Sequence, residues 1–186
     1  MPLAGAAFFY PNVPFPMSDS KTPVTHDLSK LFEKIKDVRI AMLTTFDEQH
    51  DLHSRPMGTI KPGADGALYF FTDKDSAKVY EVKKDNKVNL SYANPSDNVY
   101  VSVSGTASVF RDEAKIAELW SEPMKAWFPK GQEDPNIMIL KVDIEKGEYW
   151  DSPSGMLSRA YAYLKAVTTG ERSTSDDVNE HAQVQR

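Results

Sequence analysis

"NVYVSVSGTASVF" (98–110) is the stretch that decides the fold class. Val99, Val101 and Val103 alternate with Tyr100, Ser102 and Ser104, the period of two that puts one set of side chains on each face of a β-strand. A helix would need apolar residues three and four positions apart. Read as strand, "SVSGTAS" is also not the sharp turn that exposes a serine nucleophile.

Its neighbours continue the pattern. "KVNLSYAN" (87–94) precedes it across "PSD", and "NIMILKVDIEKGEYW" (136–150) follows as a long strand expected to bend near Lys146–Gly147. Further upstream, "RIAMLTTF" (39–46), "LHSRPMGTI" (52–60) and "ALYFFTD" (67–73) read as three more strands. The turn "DEQHD" joins the first two as a hairpin. Helical spacing appears in "THDLSKLFEKIKD", with Leu28, Leu31, Phe32 and Ile35 on one face and Thr25 as its N-cap. It recurs in "DSAKVYEVKKD", in "DEAKIAELWSEPMKAWF" with a break or kink near Pro123, and in "SGMLSRAYAYLKAVTTG", which Gly170 stops. Short strands joined by tight turns predict a mainly β, α+β chain built on a small antiparallel barrel, not a doubly wound parallel sheet.

Of 186 residues, 40% are hydrophobic and 26% charged, which suits one domain with a sizeable core. The net charge of −5 argues against nucleic acid or an anionic membrane as partner, since both reward clustered Lys and Arg. With no cysteine, disulfides and thiolate chemistry are excluded, which fits a cytoplasmic location. No apolar run is long enough to span a bilayer. Residues 1–24 read as a disordered extension. They lack a basic n-region, and Pro11, Pro14 and Pro16 break any signal helix, while Met17 opens a second candidate start. Residues 25–170 form the expected domain, and 171–186 a disordered polar tail.

The chemistry-bearing residues cluster in two places. In 52–60, Arg55 shares a strand face with His53 and Met57, and Pro56 places the strand at an edge or a bulge. The plain reading is a surface arginine on an edge strand; the functional one is an anion clamp, the use to which a planar guanidinium is suited. In "FFTDKDSAK" (70–78) a strand ends at Thr72 and a helix begins near Ser76, with Lys78 in its first turn. Hydroxyls, a cation and a helix N-terminus there suit an anion. Because the two segments lie on consecutive strands, they can face one phosphate. Trp120, Trp127, Phe128 and Trp150 read singly as core, and together as walls for a planar ligand. His26, His50, His53 and His181 lack metal-ligand spacing, and no glycine-rich phosphate loop is present.

These motifs, in order, resemble a known family. "SRPM", "LYFFTDKDSAK" and "NLSYANPSDNVYVSVSGTASV" are similar to the FMN-binding split barrels related to pyridoxamine 5′-phosphate oxidase, and "WFPKGQEDP" with "EYWDSPSG" resembles their general stress protein branch. The resemblance spans roughly His26 to Gly170. It implies a six-stranded antiparallel, Greek-key-like split barrel that dimerises with itself and holds FMN, or FAD as the alternative, at the interface. By the same resemblance, Arg55 and Lys78 hold the flavin phosphate, helped by Thr72 and Ser76. Ser54, Arg55, Pro56 and Met57 run beside the ring and ribityl chain, Phe71 and Tyr100 occupy flavin-contacting positions, and Trp127 and Trp150 reach across from the partner.

Three departures qualify the resemblance. The oxidases carry a lysine five residues after the arginine, where this chain has Ile60 followed by Lys61. Their Ser-Arg-Lys becomes Ser76, Ala77 and Lys78. Their Arg/His/Asp-rich C-terminal segment has no match in "SPSGMLSRAYAYLKA". Oxidation of pyridoxamine phosphate is therefore not expected. The expected function is a flavin-dependent oxidoreductase of the stress response, using NAD(P)H or a small redox substrate, with a non-catalytic flavin-binding or flavin-buffering protein as the alternative. No catalytic acid or base stands out.

Overall fold

A computed structural model describes residues 24–25, 27–60, 62–151 and 180–185. Its strands are β1 (Val24–Thr25), β2 (Ile40–Phe46), β3 (Leu52–Gly58), β4 (Leu68–Asp73), β5 (Lys87–Asn94), β6 (Val99–Phe110), β7 (Ile137–Asp151) and β8 (Glu180–Gln185). The helices are α1 (Ser29–Ile35), α2 (Ala77–Lys84) and α3 (Glu113–Leu119), followed by 3-10 turns at Glu122–Ala126 and Gly131–Glu133. Among these helices, none is long and apolar enough to cross a membrane.

The strict alternation of β6 becomes a two-faced strand. Val99, Val101, Val103 and Ala107 are buried in the main core, and Ser104 and Ser108 are exposed. The six expected strands are present and pair antiparallel in the spatial order β4–β7–β6–β5–β2–β3. Between the two ends of that order the ladder is missing: β3 and β4 are neighbours without being hydrogen-bonded to one another. The sheet curls but stays open along this seam.

β7 serves two partners on one edge, β4 along Ile137–Val142 and β8 along Lys146–Asp151. Its expected bend is a β-bulge one residue earlier, at Glu145. Ser104 pairs with Lys146 and Gly105 with Ile144, leaving Glu145 unmatched. The extra residue inverts the alternation. Before it Leu140, Val142 and Ile144 face the main core; after it Tyr149 does. Gly105 is required at this spot, since a Cβ there would lie 2.1 Å from the Asp143 carbonyl oxygen. Gly147 meets a different need: a Cβ would lie 2.9 Å from the Leu31 side chain, so α1 rests directly on β7. Leu31 and Ile35 are both fully buried, as their spacing predicts, and burying each stabilises the fold by about 1.5–3 kcal/mol.

Three expectations change and one is borne out. Thr25 belongs to β1, and α1 begins at Ser29, whose N–H and hydroxyl both donate to the Asp27 carboxylate at 2.8 Å. Of the break or kink expected near Pro123, the break is what forms: the third helix ends at Leu119 and Pro123 sits at the start of a separate 3-10 turn. The sheet has two strands beyond the six, because β8 pairs with β7 and, in parallel, with β1. Part of the expected polar tail is therefore ordered: in "EHAQVQ" Ala182 and Val184 alternate with polar residues and are buried in the core. Two small apolar residues at period two suffice for an added strand, although the segment's composition is polar. The helix expected over 154–170 lies outside the described residues, as do residues 1–23 and 171–179.

The bulge yields a stability test. Gly105→Ala is expected to cost about 1–3 kcal/mol in urea unfolding, as overpacking against a rigid backbone does. Gly58→Ala, where a Cβ meets nothing within 4 Å, is expected to leave the unfolding midpoint nearly unchanged.

Candidate functional site

β3 is an edge strand, which explains how it tolerates proline. Its register with β2 is unbroken from Ile40–Gly58 to Phe46–Leu52, so the bulge alternative is set aside. The Thr59 N–H donates to the Arg39 carbonyl at 2.9 Å, which makes Ala41–Met57, Leu43–Arg55 and Thr45–His53 the hydrogen-bonded pairs. Pro56 falls between them. Its missing N–H faces the open seam, and no ladder bond is lost.

On the inner face, β3 climbs out of the core. Met57 is buried, the Arg55 side chain is 14% exposed, and that of His53 is 59% exposed. Met57 thus shares the inner face with Arg55 and His53, as expected, and packs into the core. Ser54 and Pro56 lie on the outer face, where the Ser54 and Thr44 hydroxyls share a 2.7 Å hydrogen bond.

Arg55 is not free. Its Nη2 donates to Glu81 Oε2 at 2.7 Å and its Nη1 donates to the Thr45 hydroxyl, which in turn donates to Glu81 Oε2 at 2.6 Å. His53 Nδ1 stands 3.8 Å from the other Glu81 oxygen. Across the seam, the Lys78 ammonium donates to the Thr72 hydroxyl at 3.3 Å, and the Thr72 and Ser76 hydroxyls are 2.9 Å apart. Ser76 occupies the N-cap position of α2, but its hydroxyl donates back to the Asp73 carbonyl at 2.8 Å and leaves the helix end uncapped by a side chain. Burial first, and then the charge of Arg55, hold the Lys78 pKa below its ordinary value, while Glu81 and Asp73 pull it upward. Two cations and two hydroxyls, from β3, β4 and the start of α2, therefore meet along the unpaired seam between β3 and β4. That donor set fits a phosphate monoester.

The other expected residues are dispersed. Phe71 faces away from Thr72, into a second core with Trp120 (ring centroids 6.1 Å apart) and Phe128 (6.4 Å, edge-on). Trp127 follows the first 3-10 turn and is 71% exposed. Tyr100 and Trp150 are register partners on the outer face of β6 and β7, beyond the stretch of β7 that pairs with β4 and away from the seam. Sequence reading missed Glu81 and Thr45. Glu81 had a legible signal, since it lies three residues after Lys78 and therefore on the same side of α2. Thr45 had none, because a threonine inside a strand is ordinary.

Comparison with known proteins agrees with this architecture. The profile of the family described as "Pyridoxamine 5′-phosphate oxidase like" matches residues 26–174. A general stress protein 26 from Jannaschia sp. CCS1 is 25% identical and superposes with a TM-score of 0.65, over 83% of this chain and 95% of that one. A general stress FMN/FAD binding protein from Xanthomonas citri is 29% identical, with a TM-score of 0.60 over 68% of this chain and 89% of the other. Protein bli-3 of Neurospora crassa is 27% identical over 172 residues, 87% of this chain and 82% of its own. The chain belongs to the pyridoxamine 5′-phosphate oxidase-like family, and its mainly antiparallel open sheet is that of the split-barrel stress proteins.

Two variants test the electrostatics of the seam. Arg55→Ala strands the buried Glu81 carboxylate, so it is expected to lower stability by about 3–5 kcal/mol in urea unfolding. Lys78→Met is expected to raise the ligand-free midpoint at neutral pH. A lysine whose folded pKa is lowered destabilises the fold while the unfolded chain still holds its proton. The gain should therefore shrink as pH rises through the ordinary lysine range and both states lose that proton.

Proposed function

We propose that this protein binds FMN with its phosphate at the seam between β3 and β4 and acts as a flavin-dependent oxidoreductase of the stress response. The observation that carries the reading is the convergence of Arg55, Lys78, Thr72 and Ser76 where backbone pairing stops. Bound there, the flavin would supply the redox chemistry, and the chain would hold and orient it. Arg55 and Lys78 would take the phosphate, with Thr72 and Ser76 donating hydroxyls. Ser54 and Pro56 would line the ring and ribityl chain from the free edge of β3, with Met57 contributing through its backbone. FAD is the alternative occupant, favoured by the FMN/FAD description of the Xanthomonas protein.

The site needs a second copy to be complete. In this chain Phe71 turns away from the seam, so a wall for the flavin ring has to come from elsewhere. The outer face of β2 and β3 exposes Ile40 at 47%, Met42 at 40% and Leu52 at 70%, an apolar strip that suits a two-fold contact between copies. In such a homodimer, Trp127 and Trp150 of one protomer, with Tyr100, would reach the flavin of the other. A cytoplasmic location, with NAD(P)H or a small molecule as redox partner, accords with this reading.

Ala77 stands where the oxidases carry the arginine of Ser-Arg-Lys, which favours a second reading, a binder or buffer of flavin that turns nothing over. One experiment separates the two. The purified protein is mixed with FMN or riboflavin, and binding is followed by flavin fluorescence and visible absorbance. FMN is expected to bind at least about tenfold tighter than riboflavin, the scale of one charge-assisted hydrogen bond. No binding of either refutes both readings. If FMN binds, anaerobic NAD(P)H is expected to bleach it; a spectrum that stays oxidised leaves the non-catalytic binder.

A further inference from the structure

Among the described residues the buried polar side chains are Thr45, Thr72, Glu81 and Asp134, and the first three gather at the seam. Polar groups buried together in this way are satisfied by one another, and here the centre of the network is Glu81. One of its oxygens accepts from both Arg55 (2.7 Å) and Thr45 (2.6 Å), and the other stands 3.8 Å from His53 Nδ1. Its side chain is 6% exposed.

A carboxylate beside a phosphate site poses a problem of sign. As a charge it repels the phosphate; as a hydrogen-bond acceptor it can hold the arginine that binds it. The arrangement decides between the two. Arg55 stands on an edge strand beside Lys78, whose pKa is lowered first by burial and then by the charge of Arg55. Without a counter-charge, a long guanidinium side chain at the rim would swing into water, where it is better solvated and farther from Lys78. Glu81 and Thr45 each take one hydrogen, from Nη2 and Nη1, and leave Nε–H and the remaining Nη hydrogens for another acceptor.

We propose that Glu81 is a positioning residue for the flavin phosphate: with Thr45 it holds the Arg55 guanidinium beside Lys78, oriented to receive the phosphate. This rests on the flavin reading above. Pre-setting a rotamer-rich side chain removes an ordering cost that binding would otherwise meet, and it gives the phosphate a defined fork.

The test is Glu81→Gln, titrated with FMN and with riboflavin alongside the wild type, with thermal melting of each protein. The expected result is an FMN affinity about tenfold weaker, with riboflavin held within about twofold, so that the preference for the phosphorylated flavin collapses. An unchanged or tighter FMN affinity would overturn the proposal, because it would make Glu81 a repelling charge and nothing more. An equal loss for both flavins also overturns it, since a purely structural role moves both. Should Glu81→Gln not fold, Thr45→Val is measured the same way: a loss confined to FMN supports the proposal, and an equal loss or none sinks it. Wild type that binds neither flavin is a separate failure, which removes the flavin reading itself and this inference with it.

Discussion

The fold hangs on β7. It pairs with β6 from Ile139 to Asp151, and its other edge is divided between β4 and β8. A single regular strand could not do both while keeping apolar side chains inward, because curvature and alternation would conflict along so long a ladder. The bulge at Glu145 resolves this by shifting the alternation by one residue, so that Leu140, Val142 and Ile144 on one side of it and Tyr149 on the other all reach the same core. The cost falls on one position opposite, Gly105, which has no room for a Cβ.

That division of β7 also locates the site. With β4 held by β7 at one end of the spatial order and β3 held by β2 at the other, the two come side by side without a ladder between them. An unpaired edge normally invites aggregation, and proteins blunt it with proline, charge or cover. Here Pro56 lies in the edge and Arg55 stands beside it, while α2 brings Lys78 and Glu81 from the other side. The same residues that guard the edge supply the donor set proposed above for a phosphate. Two cations and one carboxylate share the rim, and the carboxylate already accepts from Arg55 and Thr45.

Much of this is legible in the amino-acid sequence. The period of two in β6, the helical spacing of α1, the edge position implied by Pro56 and the grouping of Arg55 with Thr72, Ser76 and Lys78 follow from rules that act within a few residues. Other features are not. "EHAQVQ" looks like tail because its composition is polar, yet two buried residues make it a strand. Phe71 and Thr72 are adjacent in sequence and face opposite sides of β4, so a motif that names both cannot say which one lines the seam. Glu81 is legible as a neighbour of Lys78 on α2, but its pairing with Arg55 is not until α2 is laid against β2.

The sequence by itself determined most local states and the inventory: where the six main strands and the described helices form, which residues carry charge, and that no thiol takes part. Those outcomes depend on periodicity, turn chemistry and composition, all short-range. Only the tertiary structure decided which strands stay unpaired, where the bulge falls and which partner Arg55 meets. Each of these depends on residues far apart in the chain, Arg55 with Glu81 and Gly105 with Asp143, and on how much volume and charge the core accommodates once they are brought together.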